Sequence, residues 1–187
     1  MKKLFVIALA ALATLTASAQ TIGKVNFTEI MMLAPEMDAA RETIAASQKE
    51  AEETYAAMVE EYQGKMNQYQ QKQATWTAAI RESKERELME IQNRIQEFQQ
   101  SISQELQQQQ NQLQAPIQEK ANQVITEIAK AKGITVLFDV SQALYFDDSK
   151  VIDITPDARK AMNIPEGRTL ETLQAELQAQ AEAAAAK

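Results

Sequence analysis

Between Pro35 and Gly133 the apolar positions fall on a helical period, and the stretch holds one internal glycine, Gly64, and one proline, Pro116. Ile91, Ile102, Leu113 and Val124 recur every eleven residues, and Ile95, Leu106, Ile117 and Ile128 repeat that step four residues on. Positions four apart share a helix face, so the two runs form one stripe. Eleven residues over three turns is about 3.67 per turn, which predicts nearly straight or slightly right-handed packing rather than a tight left-handed coil. A looser stripe precedes it: Ile44, Ala51, Tyr55, Met58, Tyr62, Met66, Tyr69, Trp76 and Ile80. Alanine, glutamine, glutamate, lysine and methionine fill the positions between, all of which lose little on entering a helix. Two stripes in one chain are most simply covered by folding back on each other. Residues 36–132 therefore predict an antiparallel helical hairpin whose arms, at 1.5 Å per residue, are about 60 Å long.

The reversal carries no Gly-Pro punctuation and is placed near Ala74–Ser83 from the midpoint of the stretch. Pro116 removes a backbone donor and predicts a local kink, and Gly133 is placed to cap the returning helix. Gly64 and Pro116 read as neutral breaks, with a hinge as the second reading. The run Gln107–Gln110 and its neighbouring glutamines read as a solvated helix face, because the stripe passes through the same residues.

The flanks change period. Ile22, Val25 and Phe27 against Lys24 and Asn26 predict a short strand running into a turn or helical segment at Thr28–Leu33. Pro35-Glu36 resembles a helix start. After Gly133, Ile134–Val140 is β-branched and aromatic and predicts a buried strand. Ala143–Phe146 predicts a second strand, Asp147-Asp148-Ser149 a turn, and Val151-Ile152 a third strand. Thr155 is placed as N-cap and Pro156 as the first residue of a helix carrying Ala158, Ala161 and Met162. From Thr169 the tail begins amphipathic through Leu170, Leu173 and Leu177 and fades into Ala-Glu repeats, which leaves both helix and frayed tail open.

The fold class is α+β. A small β body comes from strands around residues 21–28 and 134–153, with the long hairpin inserted between them. The expected domains are 1–19 (signal peptide), 20–35 (first part of the β body), 36–132 (hairpin), 133–167 (second part of the body) and 168–187 (tail). Some fifty residues of short strands bury little apolar surface alone, and a two-helix hairpin has no third element to cover it. Both parts ask for partners, most economically in a homo-oligomer that shares one sheet or barrel. Candidates for its core are Val25, Phe27, Val136, Phe138, Leu144 and Phe146.

The first residues add a destination. Lys2 and Lys3, an apolar Leu4–Leu15 and Ala17-Ser18-Ala19 read as a secretory signal cleaved near Ala19-Gln20, and no cysteine follows to carry a lipid anchor. The protein is thus expected outside the cytoplasm and soluble. Among 187 residues there is neither cysteine nor histidine, which removes a thiol nucleophile and the commonest general base and metal ligand. Asp139, Asp147, Asp148 and Asp153 lie at strand ends and turns, lack the calcium-loop pattern and have no neighbouring nucleophile. No catalytic residue, metal site or cofactor is therefore assigned. The formal charge is −7, and no basic patch supports nucleic-acid binding.

The order of elements, from the signal and KVNFTEI through the hairpin to GITVLFDVSQALYFDDSKVIDIT and a short helix, resembles the Skp/OmpH family of periplasmic chaperones over roughly Ile22 to Met162. The most specific portion is Val140 to Ala161, where an aromatic-Asp turn leads into Asp153-Ile154-Thr155 and an amphipathic helix. The resemblance implies a trimer with a small β-barrel body and three helical tentacles around a cavity. It also implies ATP-independent holding of unfolded outer-membrane proteins in the periplasm for membrane insertion. The better-known members are strongly basic. Here residues 36–132 hold eleven Lys+Arg against sixteen Asp+Glu, which argues against electrostatic capture of anionic lipid or lipopolysaccharide at a membrane surface. Client contact is expected instead from dispersed apolar side chains on the hairpin faces: Tyr55, Met58, Tyr62, Met66, Tyr69 and Trp76. The same residues also suit packing of one arm on the other. The rival reading is a structural or adaptor hairpin of the cell envelope that binds one folded partner.

Overall fold

The computed structural model describes residues 21–185; the signal-peptide assignment lies outside the described residues. The chain divides into two compact units, one running through Ala34 and resuming at Glu119, the other spanning Pro35–Gln118. The fold is α+β and mostly helical, as the sequence predicts.

The first unit is built on three parallel strands, β1 (Ile22–Val25), β2 (Val136–Asp139) and β3 (Val151–Asp153), in the order β2-β1-β3. The central strand is the first in sequence, and Ile22 pairs with both Val136 and Val151. Gly23 allows a close approach there: a Cβ on it would lie 2.7 Å from Ile134 Cδ1. Helix α1 (Phe27–Leu33) follows β1 directly. Phe27 therefore begins a helix rather than extending the strand, because the Asn26 side chain accepts from the Glu29 N–H at 3.0 Å and caps it. The Asn26 N–H in turn donates to Thr155 Oγ1 at 3.0 Å.

That bond corrects the assignment of Thr155 as N-cap. Helix α4 (Thr155–Ala161) is preceded by Ile154, and its start has no side-chain cap. The Thr155 hydroxyl faces back to Asn26, and Asp153 Oδ1 accepts from the Thr155 N–H at 2.9 Å. Ile30, Leu33, Ile154, Ala158 and Met162 are fully buried. Helix α5 (Leu170–Ala185) settles the tail, among the described residues, as a helix packed against α1, with Leu173 only 3% exposed. Thr169 caps it by accepting from the Thr172 N–H at 3.1 Å. Arg159 ties the region together through an ion pair to Glu29 and a hydrogen bond to the Pro165 carbonyl at 3.0 Å.

The predicted strand Ala143–Phe146 does not form. Ala143 is extended, yet the segment has no ladder partner among the described residues, and Leu144 and Tyr145 stand out into solvent. A β-prone segment becomes a strand only where another backbone offers matching donors and acceptors. Upstream, Asp139 ends β2 by accepting from the Ser141 N–H at 2.8 Å.

The second unit is the hairpin: α2 (Pro35–Lys72), a single 3-10 turn at Gln73–Thr75, and the first part of α3 (Ala78–Ala131). Thr75 donates to the Lys72 carbonyl at 2.8 Å, and the Thr77 hydroxyl caps α3 by accepting from the Ile80 N–H at 3.4 Å. The two threonines reverse the chain without glycine. Both Gly64 and Pro116 lie inside unbroken helices. At the far end α3 closes in a Schellman motif, with Gly133 at φ +65, its N–H on Lys130 O at 3.1 Å and that of Ile134 on Ala129 O at 2.9 Å.

Candidate functional site

The arms of the hairpin meet along the predicted stripes, and their contact is uneven. Near the tip they are cross-linked: Arg94 pairs with Glu61 at 3.0 Å, Glu87 with Lys65, and the Tyr69 hydroxyl donates to Glu85. Lys84 joins Glu87 at 2.8 Å, and the two lysines, Lys65 foremost, hold the Glu87 carboxyl down to about 2. The same bond raises the Lys65 ammonium, and donation to Glu85 raises the Tyr69 phenol. Tyr69 and Trp76 meet edge to face with centroids 5.9 Å apart. Leu88 and Ile91 are buried beneath this network.

Further along, Gln109 donates to Ser47 at 3.0 Å. Between that bond and the Glu61–Arg94 pair, small Ala51 and Thr54 line the first arm. Ala51 sits opposite Phe98, Ile102 and Leu106, and the missing volume opens a cleft of about 500 Å³ on one face of the hairpin and one of about 580 Å³ on the other. Glu50 and Glu105 rim the first; Glu52 and Tyr55 rim the second.

Of the six residues singled out for client contact, Tyr55 lines a cleft and is 36% exposed. Met58, Tyr62, Met66, Tyr69 and Trp76 are half-buried along the arm. The cleft residues missed in the sequence are Phe98, Ile102 and Leu106 as a floor and Ala51 as the gap. The signal was present in part, since Ala51 of one stripe falls at the level of Ile102 and Leu106 of the other, but the pairing of the arms had to be known to use it.

The residues singled out for an oligomer core divide. Val25 is buried within the single chain, and Phe27 and Phe146 are half-buried. Val136 (40%), Phe138 (43%) and Leu144 are exposed, as is Ile22, which shares its register position with Val136. Lys24 lies on this face, 5.9 Å from the Phe146 ring centroid, with Asp148 and Asp153 raising its ammonium. The four aspartates at the strand ends and turns are each engaged locally. Asp139 holds Ser141, Asp147 holds Ser149 and Lys150, Asp148 holds Lys24, and Asp153 holds Thr155. Among the described residues no acidic group is arranged for a metal, and no helix is long and apolar enough to cross a membrane.

A family model described as Outer membrane protein (OmpH-like) matches residues 21–162. A comparison with curated proteins finds no match. Helix α5 lies beyond the matched stretch.

Proposed function

This chain belongs to the OmpH-like outer membrane protein family, and on that premise we propose that it is an ATP-independent periplasmic holdase for unfolded outer-membrane proteins. The observation that carries the reading is the hairpin itself: two long arms whose apolar stripes remain half-exposed and part over an apolar floor, with no third element of that unit to cover them. Adaptable Met and amphipathic Tyr along such a surface hold apolar segments weakly, and many weak contacts add without freezing the client. The exposed face of Ile22, Val136 and Phe138, with Leu144 and Tyr145 beside it, supports association of copies through the small sheet, in the trimer that the family implies.

The test is aggregation of a urea-diluted outer-membrane β-barrel protein with and without the purified protein, at low and high salt and without ATP. Suppression that survives high salt supports holding by apolar contact. Absence of suppression by an intact oligomer overturns the reading, and tight binding to a single folded envelope partner would establish the adaptor instead.

A further inference from the structure

The middle of the hairpin differs in charge from its tip. Residues 43–64 and 95–118 hold seven glutamates against one lysine, whereas residues 65–94 hold four glutamates against six Lys+Arg. The acidic excess lies where the arms part. Glu50 and Glu105 rim the cleft over Ala51, Phe98, Ile102 and Leu106, and Glu52 rims the opposite one. None of these three carboxylates makes an ion pair among the described residues. At the tip, by contrast, Glu82 and Glu87 are paired. An apolar floor flanked by uncompensated carboxylates is complementary to apolar side chains interleaved with cationic ones.

The length of the site adds to this. The arm from Ser47 to Glu61, between the two cross-links, is about 21 Å long at 1.5 Å per residue, which matches about six residues of extended chain at 3.3 Å each. Glutamines 99, 108 and 112 also line the clefts, and their amides offer donors and acceptors to an extended backbone.

We infer that the mid-hairpin cleft is a docking groove for an extended, non-native polypeptide segment in which Lys or Arg alternates with apolar residues. This rests on the holdase reading above and deepens it. The groove selects client segments by positive charge, through Glu50 and Glu105, and Ala51 is the gap that admits their apolar side chains.

The test uses the whole purified protein and a fluorescein-labelled nine-residue peptide alternating leucine and lysine. Control peptides carry glutamate or serine in place of lysine, and anisotropy reads binding. The lysine peptide is expected to bind and the glutamate peptide not. Ala51→Leu fills the gap with apolar volume and is expected to weaken binding at least tenfold with helical content unchanged. Glu50→Gln and Glu105→Gln, at exposed rim positions, are each expected to weaken it about two- to fivefold and to flatten its salt dependence with helical content unchanged. Equal binding of all three peptides, or wild-type affinity in both Gln variants, overturns the inference. A change of oligomeric state in Ala51→Leu also overturns it, since the groove is then an interface between copies. The aggregation assay run alongside separates the two readings. Suppression by a wild-type protein that does not discriminate peptide charge leaves the holdase standing and removes the groove; discriminating binding without suppression does the reverse.

Discussion

Replacing Leu173 by alanine should free the C-terminal helix while leaving the rest of the body folded. Leu173 is 3% exposed where α5 packs against α1, and Leu177, one turn on along the same helix, is 38% exposed. Truncating a buried leucine removes its transfer free energy and leaves a cavity, about 2–5 kcal/mol in a closed core. Here the site lies under a single helix at the margin of the unit and can partly collapse, so about 2 kcal/mol is expected. That corresponds to roughly a 30-fold rise in the population with α5 detached, since each 1.4 kcal/mol is about tenfold. Leu177→Ala, already partly in water, should cost under about 1 kcal/mol. Limited trypsinolysis after Arg168 reads this opening, because cleavage follows the open population when closing is fast. Hydrogen exchange of the α5 amides gives an independent measure. The Arg168 carbonyl is held by Arg159 at 2.5 Å in the docked state, so cleavage there should be slow in the wild type. Equal acceleration in both variants, or none in Leu173→Ala, would refute the docking argument.

Four further outcomes follow from particular positions. Thr155→Val should strand the Asn26 N–H and cost about 1–3 kcal/mol in urea denaturation, whereas Thr155→Ser should retain the bond and most of the stability. Glu87 titrates at about 2 when folded against an ordinary 4.5, so its stabilisation is complete above pH 4.5 and is lost as pH falls toward 2. Glu87→Gln should accordingly loosen the tip by under about 1 kcal/mol at neutral pH and match the wild type near pH 2, with Trp76 emission as reporter; a constant difference across that window would reject the ion-pair origin. Gly23→Ala should cost about 1–3 kcal/mol by overpacking and be partly rescued by Ile134→Val, which removes the Cδ1 that the new Cβ would meet at 2.7 Å. Gly133→Ala has open space around it and should cost about 1–2 kcal/mol purely from its φ of +65, with no rescue by Ile134→Val.

The sequence by itself determined those features that depend on neighbours within a turn or two of chain. The eleven-residue stripe yields an unbroken α3, with Ile91 and Ile117 of the stripe buried, because helical hydrogen bonds and the apolar face close locally. Gly133 as C-terminal cap and Pro156 at a helix start are legible for the same reason. The tertiary structure alone decided the rest. Ile22 and Val136 are neighbours on the sheet yet lie more than a hundred residues apart, so no local preference reveals that β1 is central or that its partners run parallel. Ala143–Phe146 has the composition of a strand and no ladder partner among the described residues. Thr155 has the composition of a cap, yet its hydroxyl oxygen accepts from the Asn26 N–H. The cleft at Ala51 exists only once the level of the two arms is set, by pairs such as Glu61–Arg94 and Ser47–Gln109. A propensity is a property of one residue in its own turn of chain, whereas a ladder, a diverted hydroxyl or a gap opposite a small side chain is a property of two segments that meet only after folding.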